Sequence, residues 1–109
     1  MSSDIRIVSP CCPHCGHVGN VEVGNMTGNV NRMLSQTCVG LILRDFDGMP
    51  CAPAAKLLAR IHVEMTSNRE KFLEFENPEW GSLADFLPWL EHWIELCEAN
   101  LLGVVKVSW

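Results

Sequence analysis

The chain has 109 residues, 48% of them hydrophobic, and a formal net charge of −5. A chain of that length and apolar content makes one domain, residues 1–109, and buries roughly two thirds of its unfolded surface, so it can hold a core without staples. The negative charge is concentrated between Glu70 and Glu98, where Lys71 is the only basic residue; such a surface repels phosphate and disfavours direct duplex binding.

That surface suits a basic protein partner or serves solubility. The opening MSSDIRIVSP has neither the apolar stretch nor the cleavage pattern of a signal peptide. No apolar run approaches the roughly 18 residues of a membrane span. The expectation is a cytoplasmic chain with reduced thiols.

In chain order, residues 4–8 alternate with Ile5 and Ile7 on one face, which predicts a short strand. The cysteine-rich segment 9–17 breaks it. Residues 18–24 read as a second strand, with Val21 and Val23 on one face, returning antiparallel across that turn. The asparagines and glycines of "GNMTGNVN" resist regular structure until Asn29, which can cap a short helix carrying Val30, Met33 and Leu34 inward. Residues 44–50, RDFDGMP, carry turn chemistry.

From Pro53 to Met65 the residues Ala54, Leu57, Leu58, Ile61 and Met65 form one apolar helix face, with Lys56, Arg60 and Glu64 outside. A short helix anchored by Phe72, Leu73 and Phe75 follows, then a loop, ENPEWGS. Ser82, with Asp85 three residues later, is a helix start. Phe86, Leu90, Trp93, Ile94 and Cys97 keep helical spacing beyond it, with Glu91, Glu95 and Glu98 outside and Trp89 off the stripe toward solvent. Pro88 predicts a bend or a later start. Asn100 and Gly103 end that helix, and GVVKVSW reads as a strand with Val105, Val107 and Trp109 on one face. The sum is an α+β fold, about three antiparallel strands with three to four helices on one face.

Cys12-Pro-His-Cys15-Gly is a tight turn that aims two thiols at one point, as a zinc knuckle does, and His17 adds a third ligand. A structural zinc site needs a fourth, and Cys38 and Cys51, both at predicted element ends, are the candidates to close it. The alternative is a pair of reduced thiols in a β-turn. Cys12 and Cys15 also match the dithiol of strongly oxidising thioredoxin-fold proteins, but no helix pattern follows to lower a thiol pKa. Asn25, Thr27, Asn29 and Asn31 would share one side of an extended backbone and bind a polar ligand; otherwise they satisfy the loop's own amides. His62, His92 and Cys97 read as two solvated helix residues and one core residue.

Taken together, Cys12, Cys15 and Gly16, then Gly24, Asn25, Thr27, Asn29 and Val30, then Asp47 and Gly48, then Asn77, Pro78, Trp80 and Gly81 resemble a group of small uncharacterised phage and prophage proteins. The chain departs from that pattern at Gly28, where an aromatic is expected. The resemblance implies a phage-related origin, hence the cytoplasm of a bacterial host, and supplies no reaction. The functional expectation is a small acidic accessory protein that acts by contact, inhibiting a host defence or regulatory protein through Glu91, Glu95 and Glu98. The alternatives are a zinc-bearing module associated with nucleic acid and a thiol redox protein using Cys12 and Cys15.

Overall fold

The alternation of Ile5 and Ile7 with Asp4 and Arg6 places the first two at 0% exposure and the charged pair in solvent. They belong to β1, Ser2–Val8, the central strand of a three-stranded antiparallel sheet. The computed structural model describes residues 2–9, 19–27, 30–74 and 82–108. On one side of β1 lies β2, Asn20–Thr27, and on the other β3, Val104–Ser108. Ile5 pairs with Val107 and Ile7 with Val105, so the apolar residues of both strands share one face. Helices cover that face, and Glu22, Lys106 and Ser108 stay exposed on the other. This is the expected α+β arrangement.

β2 runs further than its sequence suggests. Asn25, Met26 and Thr27 continue the strand, opposite Asp4, Ser3 and Ser2. A bulge makes this possible: Ile5 pairs with Gly24 but Arg6 pairs with Glu22, so Val23 is the extra residue. Gly24 has φ +138°, and a Cβ there would stand 3.1 Å from the Trp89 indole nitrogen. Backbone conformation and a close aromatic neighbour both demand glycine.

Helix α1, Asn31–Ser35, turns Met33 and Leu34 into the core beside Val30. Asn29 lies outside the described residues. The turn segment then does more than reverse the chain. A 3-10 turn, Leu43–Phe46, is held by the Asp45 carboxylate accepting from the Ile42 amide at 2.9 Å. Beyond it the chain borders β3: the Gly48 amide donates to the Val105 carbonyl, and the Val107 amide donates to Asp47 Oδ1 at 3.0 Å. The edge of β3 is thereby occupied.

Two helices of 17 residues form the layer over the sheet, α2, Cys51–Ser67, and α4, Leu83–Ala99, with α3, Arg69–Leu73, between them in sequence. In α2, Ala54, Leu58, Ile61 and Met65 are fully buried, and Leu57 is only partly so. In α3 only Phe72 is buried; Leu73 is half exposed, and Phe75 lies outside the described residues. α4 begins where Ser82 predicts it: the Ser82 hydroxyl accepts from the Asp85 amide at 3.2 Å and donates to the Asp85 carboxylate at 2.8 Å. The helix continues through Pro88. The carbonyl deprived of its partner by the missing amide belongs to Ala84, which faces solvent.

Phe86, Leu90, Trp93 and Cys97 are fully buried. Trp89 is not exposed as its position off the stripe suggested. It stacks on Phe86 and meets the edge of Trp93 at 5.4 Å. Trp93 in turn lies edge-on to Phe46, and its buried indole nitrogen has no hydrogen-bond partner among the described residues. Asn100 caps α4, its side-chain amide donating to the Leu96 carbonyl at 2.8 Å. Gly103 then passes under β1, where a Cβ would lie 2.8 Å from Ile7 Cγ2.

Candidate functional site

The outer face of α4 follows from its buried face. With Phe86, Leu90, Trp93 and Cys97 inward, helical geometry turns Asp85, Glu91, Glu95 and Glu98 to solvent, and all four are exposed. His92 joins them, and α4 contains no lysine or arginine. At its C-terminal end this face runs into an apolar corner. Leu101 is 53% and Leu102 84% exposed, and both line a depression of about 340 Å³ with Glu98 and Ser9. Carboxylates beside exposed leucines form a surface that can take both a basic and an apolar group.

α2 lies against α4 and presents the opposite charge. Lys56 and Arg60 are exposed on its outer face, with Val63 at 62% exposure one turn on. Ala59, Arg60, Val63, Glu64 and Cys38 border a shallow, mainly apolar groove of about 520 Å³. Between the helices His62 Nε2 meets Glu91 Oε1 at 2.9 Å. The Cys38 amide donates to Glu64 Oε2 at 2.8 Å, and Lys71 Nζ lies 3.9 Å from Glu64 Oε1.

The cysteine candidates separate. Cys12, Cys15 and His17 lie outside the described residues. Cys38 is exposed at the Glu64 end of α2, whereas Cys51 is the first residue of that helix and fully buried. The step from Cys51 to Glu64 is about 20 Å along the axis. Cys38 and Cys51 therefore lie at opposite ends of α2, too far apart to be ligands of the same metal ion. Cys51 turns to Cys97 instead. Burial pushes both thiols up, and Cys97 reaches about 12 through that burial and the neighbouring Cys51. Such thiols stay protonated and inert at neutral pH. No group of three or more His, Cys, Asp or Glu among the described residues could hold a metal.

The asparagine segment is also divided. Asn25 lies on β2 and donates from Nδ2 to Asp4 Oδ1 at 2.8 Å. Asn31 opens α1, and its Oδ1 accepts from the Leu43 amide at 3.0 Å. Thr27 ends β2, and Asn29 lies outside the described residues. The two described asparagine side chains serve the chain's own groups, as a loop-satisfying role requires.

The outward position of the α4 carboxylates follows from their spacing in the sequence. Spacing turns Lys56 and Arg60 outward as well, but nothing in it says that their helix lies beside α4. The Cys51–Cys97 contact was equally hidden, because it joins residues far apart in the chain. No helix among the described residues is long and apolar enough to cross a membrane. No family model, curated protein or solved structure matches the chain.

Proposed function

We propose that this chain works by protein–protein contact, as a small acidic accessory protein of the phage type, and that its docking face is the outer side of α4. The observation that carries this reading is the continuity of Glu91, Glu95 and Glu98 with exposed Leu101 and Leu102. Protein interfaces combine an apolar anchor with a polar rim, and a carboxylate row steers a basic partner toward it. The role this serves is inhibition of a host defence or regulatory protein by occupation of a basic surface. The test is capture from a bacterial lysate by the immobilised chain, compared with a variant carrying Glu91→Lys, Glu95→Lys and Glu98→Lys. A partner retained by the first and lost by the second, at unchanged melting temperature, supports the reading. Equal capture by both removes it.

A second proposal concerns the cysteine-rich segment. The Ser9 amide donates to the Gly19 carbonyl at 2.9 Å, which brings together the two ends from which residues 10–18 depart, as a knuckle requires. In this proposal Cys12, Cys15 and His17 supply three of the four ligands of one structural zinc. Zinc content near one per chain, with a fall in melting temperature on chelation, is the expected result; metal-free protein with unchanged melting overturns it.

A further inference from the structure

We infer that the α2–α4 layer is self-complementary and that the partner it fits is a second copy of this chain; the inference rests on reading the α4 carboxylates as a docking face. The two helices lie side by side and antiparallel, their levels fixed by the His62–Glu91 pair toward one end and the Cys51–Cys97 contact toward the other. One carries Lys56 and Arg60 on its outer face, the other Glu91 and Glu95.

A two-fold axis running between the helices, parallel to them, sets α2 of one copy over α4 of the other and preserves level along the axis. With His62 level with Glu91, Arg60 comes within about one turn of Glu91 of the second copy, and Lys56 within about one turn of its Glu95. Val63, at 62% exposure, comes within about one turn of Pro88 of the second copy, which is exposed and lacks an amide to desolvate. Each contact is made twice, as an isologous interface demands.

Neither Lys56 nor Arg60 has an ion-pair or hydrogen-bond partner among the described residues, and the same is true of Glu95. Among the described residues these three charges are therefore unshared, whereas Glu91 is shared with His62. Two helices about 25 Å long and 10 Å wide offer a footprint of roughly 500 Å² per copy. That lies at the low end of specific interfaces and implies a weak dimer held largely by charge.

Sedimentation velocity of the full chain from micromolar to millimolar concentration tests this. The expected result is a monomer–dimer equilibrium whose Kd weakens at least tenfold as salt rises from low to several hundred millimolar. The double variants Lys56→Glu/Arg60→Glu and Glu91→Lys/Glu95→Lys are each expected to sediment as monomers with unchanged circular dichroism. Mixed in equal amounts, they are expected to recover a dimer, because both seams then join opposite charges. A wild-type chain that stays monomeric throughout overturns the inference, as does a dimer that persists in each variant alone. A monomeric chain that still loses a lysate partner on reversal of Glu91, Glu95 and Glu98 removes the dimer and leaves the contact reading standing.

Discussion

α2 and α4 have the same length and nearly the same rhythm of burial, yet they contribute differently. The inner face of α2 is aliphatic, Ala54, Ala55, Leu58, Ile61 and Met65; that of α4 is aromatic, with Trp89 in contact with both Phe86 and Trp93. α4 starts on a side-chain cap and tolerates a proline; α2 has no side-chain cap. Periodicity decides that both are helices. What each adds beyond that depends on side-chain volume inside and charge outside.

The largest expected effect is on the aromatic side. Trp93→Ala leaves a cavity between Phe46 and Trp89 and is expected to cost about 3–5 kcal/mol, read from the denaturant midpoint. Leu58→Ala on α2 is expected to cost less, about 2–3 kcal/mol, because fewer atoms are lost. Equal losses would mean that the two inner faces contribute alike.

The point where the helices meet through Cys51 and Cys97 gives a pH test. A thiol ionises near 9.0 in the unfolded chain, while folded Cys97 holds its proton to about 12. The unfolded state sheds its proton first, so the stability present below pH 9 declines as pH rises toward 12. Cys97→Ala is expected to flatten that decline in melting temperature. Thiolate absorbance reports the ionisation directly, since the chain has no tyrosine. The smallest effect is at the helix start: Ser82→Ala is expected to cost about 1 kcal/mol, where an exposed α2 position such as Ala52→Ser changes stability by a few tenths.

Local signals proved readable and tertiary ones did not. The cap at Ser82, the inward residues of α1, α2 and α4, and the strand alternation at Ile5 and Val105 all rest on neighbours within a few residues. The extension of β2 through Asn25 was missed because a strand-breaking composition is overridden by the bulge that Gly24 permits opposite Ile5. The helical stripe alone puts Trp89 in solvent, because it ignores β2, which approaches α4 at Gly24. Among site residues, the α4 acids were legible from spacing alone. The parting of Cys38 from Cys51 was not, since two cysteines near element ends say nothing about which ends meet.

The position of β1 between β2 and β3 has a consequence for how the chain is made. Asp4 pairs with Asn25 on one side and with Ser108 on the other. During synthesis the β1–β2 hairpin is available early, but its other edge stays open until residues 104–108 leave the ribosome. Contacts of such long sequence separation slow folding and leave that edge exposed to other chains meanwhile. A nascent chain stalled before Val104 is therefore a candidate chaperone client, and one in which Val104–Ser108 has paired with β1 is not.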